Sequence, residues 1–206
     1  MVARHSALLS LVLNIWRSQE ARSRGLGHEV LDLTTTPTLP FREEAVRRLL
    51  SGHESRFLPD YRRRLEALTR DTEQAGALAV LMTQPALFGP VVDDVTGVDL
   101  GEFAIRDHFW NTGRSWNGAM AWRMYERYND VVRDVGRERG VPVIDLATLL
   151  PKSSRLYYDS LHFTAQGARV VADIVARELC PILADRFPDR RERECPAPAE
   201  QAEEAK

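Results

Sequence analysis

Two short apolar runs with a helical pattern between them constrain the fold of this chain most. Residues 77–83 read Ala-Leu-Ala-Val-Leu-Met-Thr, and residues 141–146 read Val-Pro-Val-Ile-Asp-Leu. Each run is short, mostly apolar and preceded by a glycine, a pattern typical of a strand buried on both faces. Between them, apolar residues recur with helical spacing from Met120 to Val135, and Gly140 is placed to end that helix. Strand, helix and strand in this order predict a right-handed parallel crossover.

Three further helices are predicted around this unit. Residues 41–52 carry the apolar spacing of a short helix, and residues 57–76 that of a second helix with Gly76 as its C-terminal cap. Thr164 is placed to cap a third helix, whose apolar residues run from Val170 to Leu179. Helices that surround a strand-helix-strand unit predict an α/β protein with a parallel sheet covered by helices.

The predicted sheet is small for such an architecture. Besides the two apolar runs, residues 28–33 give only a weak third strand pattern. A parallel sheet covered on both faces normally has about four or more strands. Either further strands are hidden in the sequence pattern, or part of the sheet is missing from this chain. We expect an incomplete sheet with few parallel strands.

The first residues of the chain predict an amphipathic helix rather than a membrane segment. The apolar run 7–16 is interrupted by Asn14, and it has about half the length that a spanning helix needs. No small-x-small cleavage site, which would mark the end of a signal peptide, follows it. We predict a helix over residues 6–24 with one apolar face, and we expect the chain as written to be cytoplasmic. That face consists of Leu9, Val12, Leu13 and Trp16.

Composition limits the remaining classes of protein. The formal net charge of -2 argues against a nucleic-acid partner, since such binders usually carry a strong basic excess. We expect one domain over residues 1–188 and a disordered charged tail over residues 189–206. The two cysteines, Cys180 and Cys195, exclude a disulfide-rich scaffold and a Cys-based zinc site. A bridge between them would fit a protein outside the cell, but we expect two free thiols.

One short motif has the composition of a catalytic pair. Asp159 and His162 lie three residues apart, just before the helix that Thr164 caps. In a tight turn the carboxylate can hold one ring nitrogen of the histidine, and the other nitrogen can then act as a general base. The same string is also found as a turn aspartate beside a surface histidine, and the motif alone leaves both interpretations open. The other histidines lack this context, and we predict structural or solvated roles for them: His5, His28, His53 and His108.

A longer stretch around this motif resembles a known enzyme family. Residues 128–129, 140–146, 150–151 and 158–168, the last reading Tyr-Asp-Ser-Leu-His-Phe-Thr-Ala-Gln-Gly-Ala, resemble the C-terminal third of bacterial SGNH/GDSL hydrolases. Residues 80–85 look like that family's fourth strand and the loop after it. The resemblance covers roughly residues 57–183.

The resemblance implies a flavodoxin-like three-layer α/β/α fold and ester hydrolysis by a Ser-His-Asp triad. In the family the D-x-x-H motif supplies the triad Asp and His, which correspond here to Asp159 and His162. The family's nucleophile motif Gly-Asp-Ser and its oxyanion motif G-x-N-D are absent from this sequence, and so is a G-x-S-x-G elbow. The chain therefore looks like such a hydrolase without its first three strands.

Two functions are expected on this basis. The first is an ester hydrolase that acts on a small-molecule ester without metal or organic cofactor. The second is a catalytically incompetent remnant, or an interaction module, that pairs or self-associates through an open sheet edge. Four serines are candidate nucleophiles, but none is predicted to lie in a strand-to-helix turn that would activate it: Ser6, Ser10, Ser115 and Ser160.

Overall fold

The computed structural model describes residues 11–13, 15–17, 19, 30–105, 116–190 and 195. The chain divides into two compact units, Met1–Val30 and Leu31–Lys206. In the first unit every described residue before Val30 is helical, which agrees with the predicted helix at residues 11–13, 15–17 and 19; the rest of the predicted range 6–24 lies outside the described residues. Among the described helices, none combines the length and the apolar character that a membrane crossing requires.

A long helical segment in three parts begins at Glu43 of the second unit. Helix α1 spans Glu43–Gly52, a π-helical stretch spans His53–Phe57, and helix α2 spans Leu58–Gln74. Two glutamates in the first turn of α1 complement its positive N-terminal end. Gly76 follows α2 with a φ of 76°, the left-handed conformation that commonly ends a helix. Both predicted helices are confirmed.

The predicted strand-helix-strand unit is present. Strand β1, Leu81–Met82, pairs in parallel with strand β4, Val143–Ile144. Helix α3, Gly118–Arg139, connects them and ends at Gly140 with a φ of 66°. The strands are shorter than predicted because Pro142 lacks an N–H group and because a helix begins immediately after Asp145.

A second, antiparallel sheet lies in the long irregular segment between β1 and α3. It consists of β2, Ala104–Ile105, and β3, Trp116–Asn117. The weak third strand is wrong for residues 30–33, which form extended and turn structure, while residues 28 and 29 lie outside the described part. The cause is local, because the Asp32 carboxylate accepts hydrogen bonds from the backbone and hydroxyl groups of Thr34 and stabilises a turn.

Helices cover the parallel sheet, so the chain has an α/β architecture. Helix α3 contacts both β1 and β4. A short helix α4, Leu146–Leu149, follows β4, and the long helix α5, Ala165–Arg186, contacts β4 and α4. The main hydrophobic core lies where α3, α4, α5 and the loop after β1 meet. Its most buried members include Ala86, Leu87, Phe88, Leu100, Phe103 and Ala121.

The two cysteines form a disulfide bond, so the prediction of free thiols was wrong. Cys180 lies in α5, and a 3₁₀ turn over Pro188–Arg190 follows that helix. The Cα atoms of Cys180 and Cys195 are 5.6 Å apart, which is within the ordinary range for a disulfide. The rest of the predicted tail, residues 191–194 and 196–206, lies outside the described residues.

Candidate functional site

The D-x-x-H motif forms a tight turn directly before α5. Tyr157 and Phe163 flank the turn and form an antiparallel bridge. The Tyr158 N–H donates to the His162 carbonyl at 3.0 Å, which closes the turn between them. These short-range contacts give residues 159–162 a defined conformation even though they belong to no helix or strand.

Within this turn, Asp159 contacts His162 at both the backbone and the ring. Its Oδ1 accepts hydrogen bonds from the Leu161 and His162 N–H groups, each at 2.7 Å. Its Oδ2 lies 2.7 Å from the His162 Nδ1. This confirms the predicted hydrogen bond between the two side chains.

The surroundings of Asp159 favour its ionised form. Burial raises the pKa of the Asp159 carboxyl group, but the hydrogen bonds from the backbone of His162 and Leu161 and from the His162 ring outweigh burial. The pKa therefore lies below its usual range. The Asp159 side chain is 20 % exposed and that of His162 is 52 % exposed. A charged, partly buried carboxylate thus holds an imidazole ring that remains accessible to a ligand.

The His162 ring also stacks on its neighbour Tyr158. The two ring centroids are 5.7 Å apart and the ring planes differ by 14°. The Tyr158 carbonyl in turn accepts a hydrogen bond from the Leu31 N–H at 2.7 Å. The ring plane of His162 is therefore fixed by the Asp159 carboxylate on its edge and by the Tyr158 ring on its face.

Two anchors connect the turn to the rest of the fold. On the helix side, the Thr164 hydroxyl accepts from the Gly167 N–H at 3.0 Å and donates to the Arg155 carbonyl at 2.8 Å. This confirms Thr164 as the cap of α5. On the sheet side, the Leu87 N–H donates to the Ser160 carbonyl at 3.0 Å. The loop after β1 therefore reaches the turn, as expected if the site lies beyond the carboxyl ends of the strands.

The carboxyl ends of β1 and β4 are joined by side chains. The Thr83 hydroxyl donates to the Asp145 carboxylate at 2.7 Å and accepts from the Ala147 N–H at 2.9 Å. The Arg133 guanidinium binds the same carboxylate through two hydrogen bonds of 2.9 and 3.0 Å. This bidentate pair has the geometry of a strong ion pair. It holds α3 against the strand ends, and we assign it a structural role.

Beyond the strands, the side chain of Asn129 in α3 substitutes for a strand partner. Its amide accepts from the Gln84 N–H at 2.8 Å and donates to the Gln84 carbonyl at 3.1 Å. Both backbone groups of Gln84 are thereby satisfied, and the ladder of β1 stops there. No apolar period or turn signal in the sequence indicated this contact.

Of the other candidate histidines and serines in the sequence, only Ser160 and His53 lie within the described residues. Ser160 lies in the turn, and its carbonyl holds Leu87. His53 is half-buried in the π-helical stretch, with its Nδ1 2.7 Å from the Tyr128 hydroxyl, which fits the predicted structural role. Within the described ranges, no group of three or more metal-ligating side chains occurs. Six candidates lie outside the described residues: His5, Ser6, Ser10, His28, His108 and Ser115.

Comparisons with known proteins add no relative. No family model, no curated protein and no solved structure matched the chain. Interpretation of the site therefore depends on its geometry and on the sequence resemblance.

Proposed function

We propose that Asp159 and His162 are the acid and base members of an ester hydrolase site of SGNH/GDSL type. The observation that supports this most is the 2.7 Å hydrogen bond between Asp159 Oδ2 and His162 Nδ1. The two backbone hydrogen bonds to Asp159 Oδ1 hold the carboxylate in place for that contact. A turn aspartate beside a solvated histidine requires neither this side-chain contact nor the stacked Tyr158 ring.

In this proposal the pair moves one proton in each half of the reaction. The carboxylate keeps the proton of neutral His162 on Nδ1, so the lone pair is on Nε2. Nε2 takes the proton of an attacking hydroxyl group as that oxygen bonds to the ester carbonyl carbon. Asp159 stabilises the imidazolium, which then gives the proton to the departing alcohol. Water repeats both steps on the acyl intermediate and releases the acid.

The pair alone does not make a complete hydrolase. Loss of an oxyanion donor costs about 10²–10³-fold in rate, and the sequence lacks the family's nucleophile and oxyanion motifs. We therefore propose that the chain by itself does not turn over an ester, and that a segment carrying Gly-Asp-Ser and G-x-N-D completes the site. The parallel β1–β4 pair with helices packed on it supports a flavodoxin-like three-layer fold that such a segment would extend.

A second candidate function is pairing through the open edge of β1. In the described part of the chain, β1 pairs with β4 alone. The Leu81 N–H donates to the Pro142 carbonyl directly before β4, and the Thr83 N–H donates to the Ile144 carbonyl in β4. The alternate residues Val80 and Met82 therefore direct their backbone groups to the other edge. Charged residues and prolines usually protect such an edge from pairing, and residues 77–83 contain neither. We propose that a second copy of the chain pairs there.

The disulfide bears on the compartment. Disulfide bonds persist in oxidising compartments and are rare in the cytosol. The expectation of a cytoplasmic protein came from the first residues of the chain, where the sequence shows no cleavage site and no membrane segment. The Cys180–Cys195 bond instead favours an oxidising compartment, and we propose that the protein functions there.

A fused enzyme tests the catalytic proposal. The N-terminal segment of an SGNH hydrolase, carrying Gly-Asp-Ser and G-x-N-D, is joined to this chain, and hydrolysis of a short p-nitrophenyl ester is followed. We expect turnover by the fusion and none by the chain alone. His162→Ala should abolish the turnover, whereas His53→Ala, a histidine bonded to Tyr128 outside the turn, should retain it. A fusion that keeps its rate in His162→Ala would contradict the proposal.

A further inference from the structure

Lys152 is a cationic side chain near the site that the proposed reaction does not use. It follows α4, and its ammonium lies 3.3 Å from the centroid of the Trp122 ring. Its Nζ donates a hydrogen bond to the Ala86 carbonyl at 2.9 Å. The stem of the side chain crosses Gly89, where a Cβ atom would lie 2.9 Å from the Lys152 Cε. Glycine at that position therefore leaves the space that the lysine occupies.

The peptide group that Lys152 binds is also one of the two anchors of the D-x-x-H turn. The Ala86 carbonyl and the Leu87 N–H belong to a single planar peptide group. The carbonyl accepts from Lys152 Nζ at 2.9 Å, and the N–H donates to the Ser160 carbonyl at 3.0 Å. Ala86 and Leu87 are both almost fully buried. A positive charge at the carbonyl polarises the peptide and strengthens the hydrogen bond that its N–H donates.

We propose that Lys152 is a positioning residue for the Asp159–His162 pair and acts on it through the Ala86–Leu87 peptide group. A role of Lys152 in catalysis rests on the proposed function of Asp159 and His162. The connection consists of two hydrogen bonds in series, from Lys152 to Ala86 and from Leu87 to Ser160. Ser160 lies between the two members of the pair, so a displacement of its carbonyl moves both of them.

The charge of Lys152 can change near neutral pH. Burial lowers the pKa of the Lys152 ammonium to about 8, and the negative charge of Glu126 on α3 works against this shift. Arg133 on the same helix donates to Glu126 Oε1 at 2.5 Å. Glu126 Oε2 is buried and has no hydrogen-bond partner among the residues that the structure describes. Nearby Tyr125 stays neutral in this range because burial raises its pKa to about 12. We therefore expect the charge of Lys152 to change between pH 7 and 9.

Nuclear magnetic resonance of the full chain tests the inference without any ester. The amide signal of Leu87 and the ring signals of His162 are followed from pH 6.5 to 9.5. We expect both residues to show a step with a midpoint near 8. The step should be lost in Lys152→Met, which keeps an unbranched stem over Gly89. It should remain in Arg155→Met, an exposed cation of the same loop.

The same titrations can overturn the role proposed for Lys152. The inference is overturned if the native protein shows no step near pH 8 at either residue, or if the step persists in Lys152→Met. If Lys152→Met does not fold, the titration of the native protein decides alone. A step at Leu87 without one at His162 also overturns it, because the lysine then reaches the loop but not the pair. Failure of the proposed function would appear differently, as a fused enzyme whose ester turnover survives His162→Ala.

Discussion

Asp159 binds His162 twice, through its Oδ1 to the backbone N–H and through its Oδ2 to the ring Nδ1, each at 2.7 Å. The backbone contact fixes the position of His162 relative to the carboxylate, and the side-chain contact fixes which ring nitrogen faces the carboxylate. One carboxylate therefore determines both the position and the orientation of the imidazole.

Asp159→Asn should remove catalysis from the fused enzyme while leaving its fold intact. The amide oxygen can still accept the backbone hydrogen bonds, but the charge that fixes the tautomer and stabilises the imidazolium is lost. We expect kcat to fall by on the order of 10³–10⁴-fold, measured with a p-nitrophenyl ester. Asp94→Asn, in an exposed ion pair with Arg155, is the matched control and should change kcat little. Equal effects in both variants would contradict the role of Asp159.

Asp93 should contribute stability that disappears in acid. It is 1 % exposed and accepts four hydrogen bonds, from the N–H and hydroxyl groups of Thr96 and Ser154. Burial raises the pKa of Asp93, but these hydrogen bonds lower it below its usual range. The contribution is therefore present above an unfolded pKa of about 3.9 and is lost as the pH falls through the lower folded value.

Urea denaturation of Asp93→Asn measures this contribution. We expect the variant to lose about 1–3 kcal/mol of unfolding free energy at pH 7 and to depend less on pH below about 4 than the native chain. Asp94→Asn is again the control, since that neighbour is exposed. A native-like stability of Asp93→Asn at pH 7 would show that these contacts contribute nothing to the fold.

Lys152 should make the protein more stable as the pH rises above 8. Burial lowers the pKa of its ammonium to about 8 in the folded state, against about 10.4 in the unfolded state. Between these values the unfolded chain binds more protons, so the unfolding free energy rises with pH, by up to about 3 kcal/mol. Chemical denaturation between pH 7 and 10.5 should show this rise in the native protein and not in Lys152→Met. A parallel rise in both proteins would assign it to another group.

Reduction of the Cys180–Cys195 bond should destabilise the protein. A disulfide that closes a loop of about 15 residues contributes about 3 kcal/mol in the chain-entropy description. We expect a reductant to lower the melting temperature of the native chain and to leave the double variant Cys180→Ser/Cys195→Ser unchanged. A melting temperature that does not respond to reductant in the native chain would contradict a structural bond.

Association through the edge of β1 should depend on Met82. Its side chain is 43 % exposed, and a lysine on an edge strand disfavours pairing with another strand. We expect Met82→Lys to shift the chain towards the monomer in sedimentation velocity experiments. Leu68→Lys, at an exposed apolar position on α2, should leave the association unchanged. A reduction in Leu68→Lys but not in Met82→Lys would move the interface from the sheet edge to that helix.

The sequence predicted those parts of the fold that depend on interactions between residues close together in the chain. The helices follow from apolar periodicity and from end signals such as Gly140 and Thr164, which act within one or two turns. The Asp159–His162 contact could be predicted for the same reason, since the two residues are three apart. The strands were predicted in place but too long, because their length depends on the pairing of distant segments, here β1 with β4.

The contacts that the sequence did not indicate join distant segments. Lys152 binds Ala86 and Asp93 binds Ser154 across 66 and 61 residues. A lysine after a proline and an aspartate in an irregular loop have no periodicity that marks them as buried. The disulfide was missed because a spacing of 15 residues says nothing about whether the chain after α5 turns back towards Cys180.

The tautomer of His162 tests the account most directly, and it can be measured on the chain as it exists. Nitrogen-15 spectra of the neutral ring distinguish a proton on Nδ1 from a proton on Nε2. If Asp159 orients His162 as a general base, the proton is on Nδ1 and the lone pair is on Nε2, and Asp159→Asn weakens or reverses this preference. A native His162 that carries its proton on Nε2 would contradict the account, because the nitrogen that must accept the proton would already hold one.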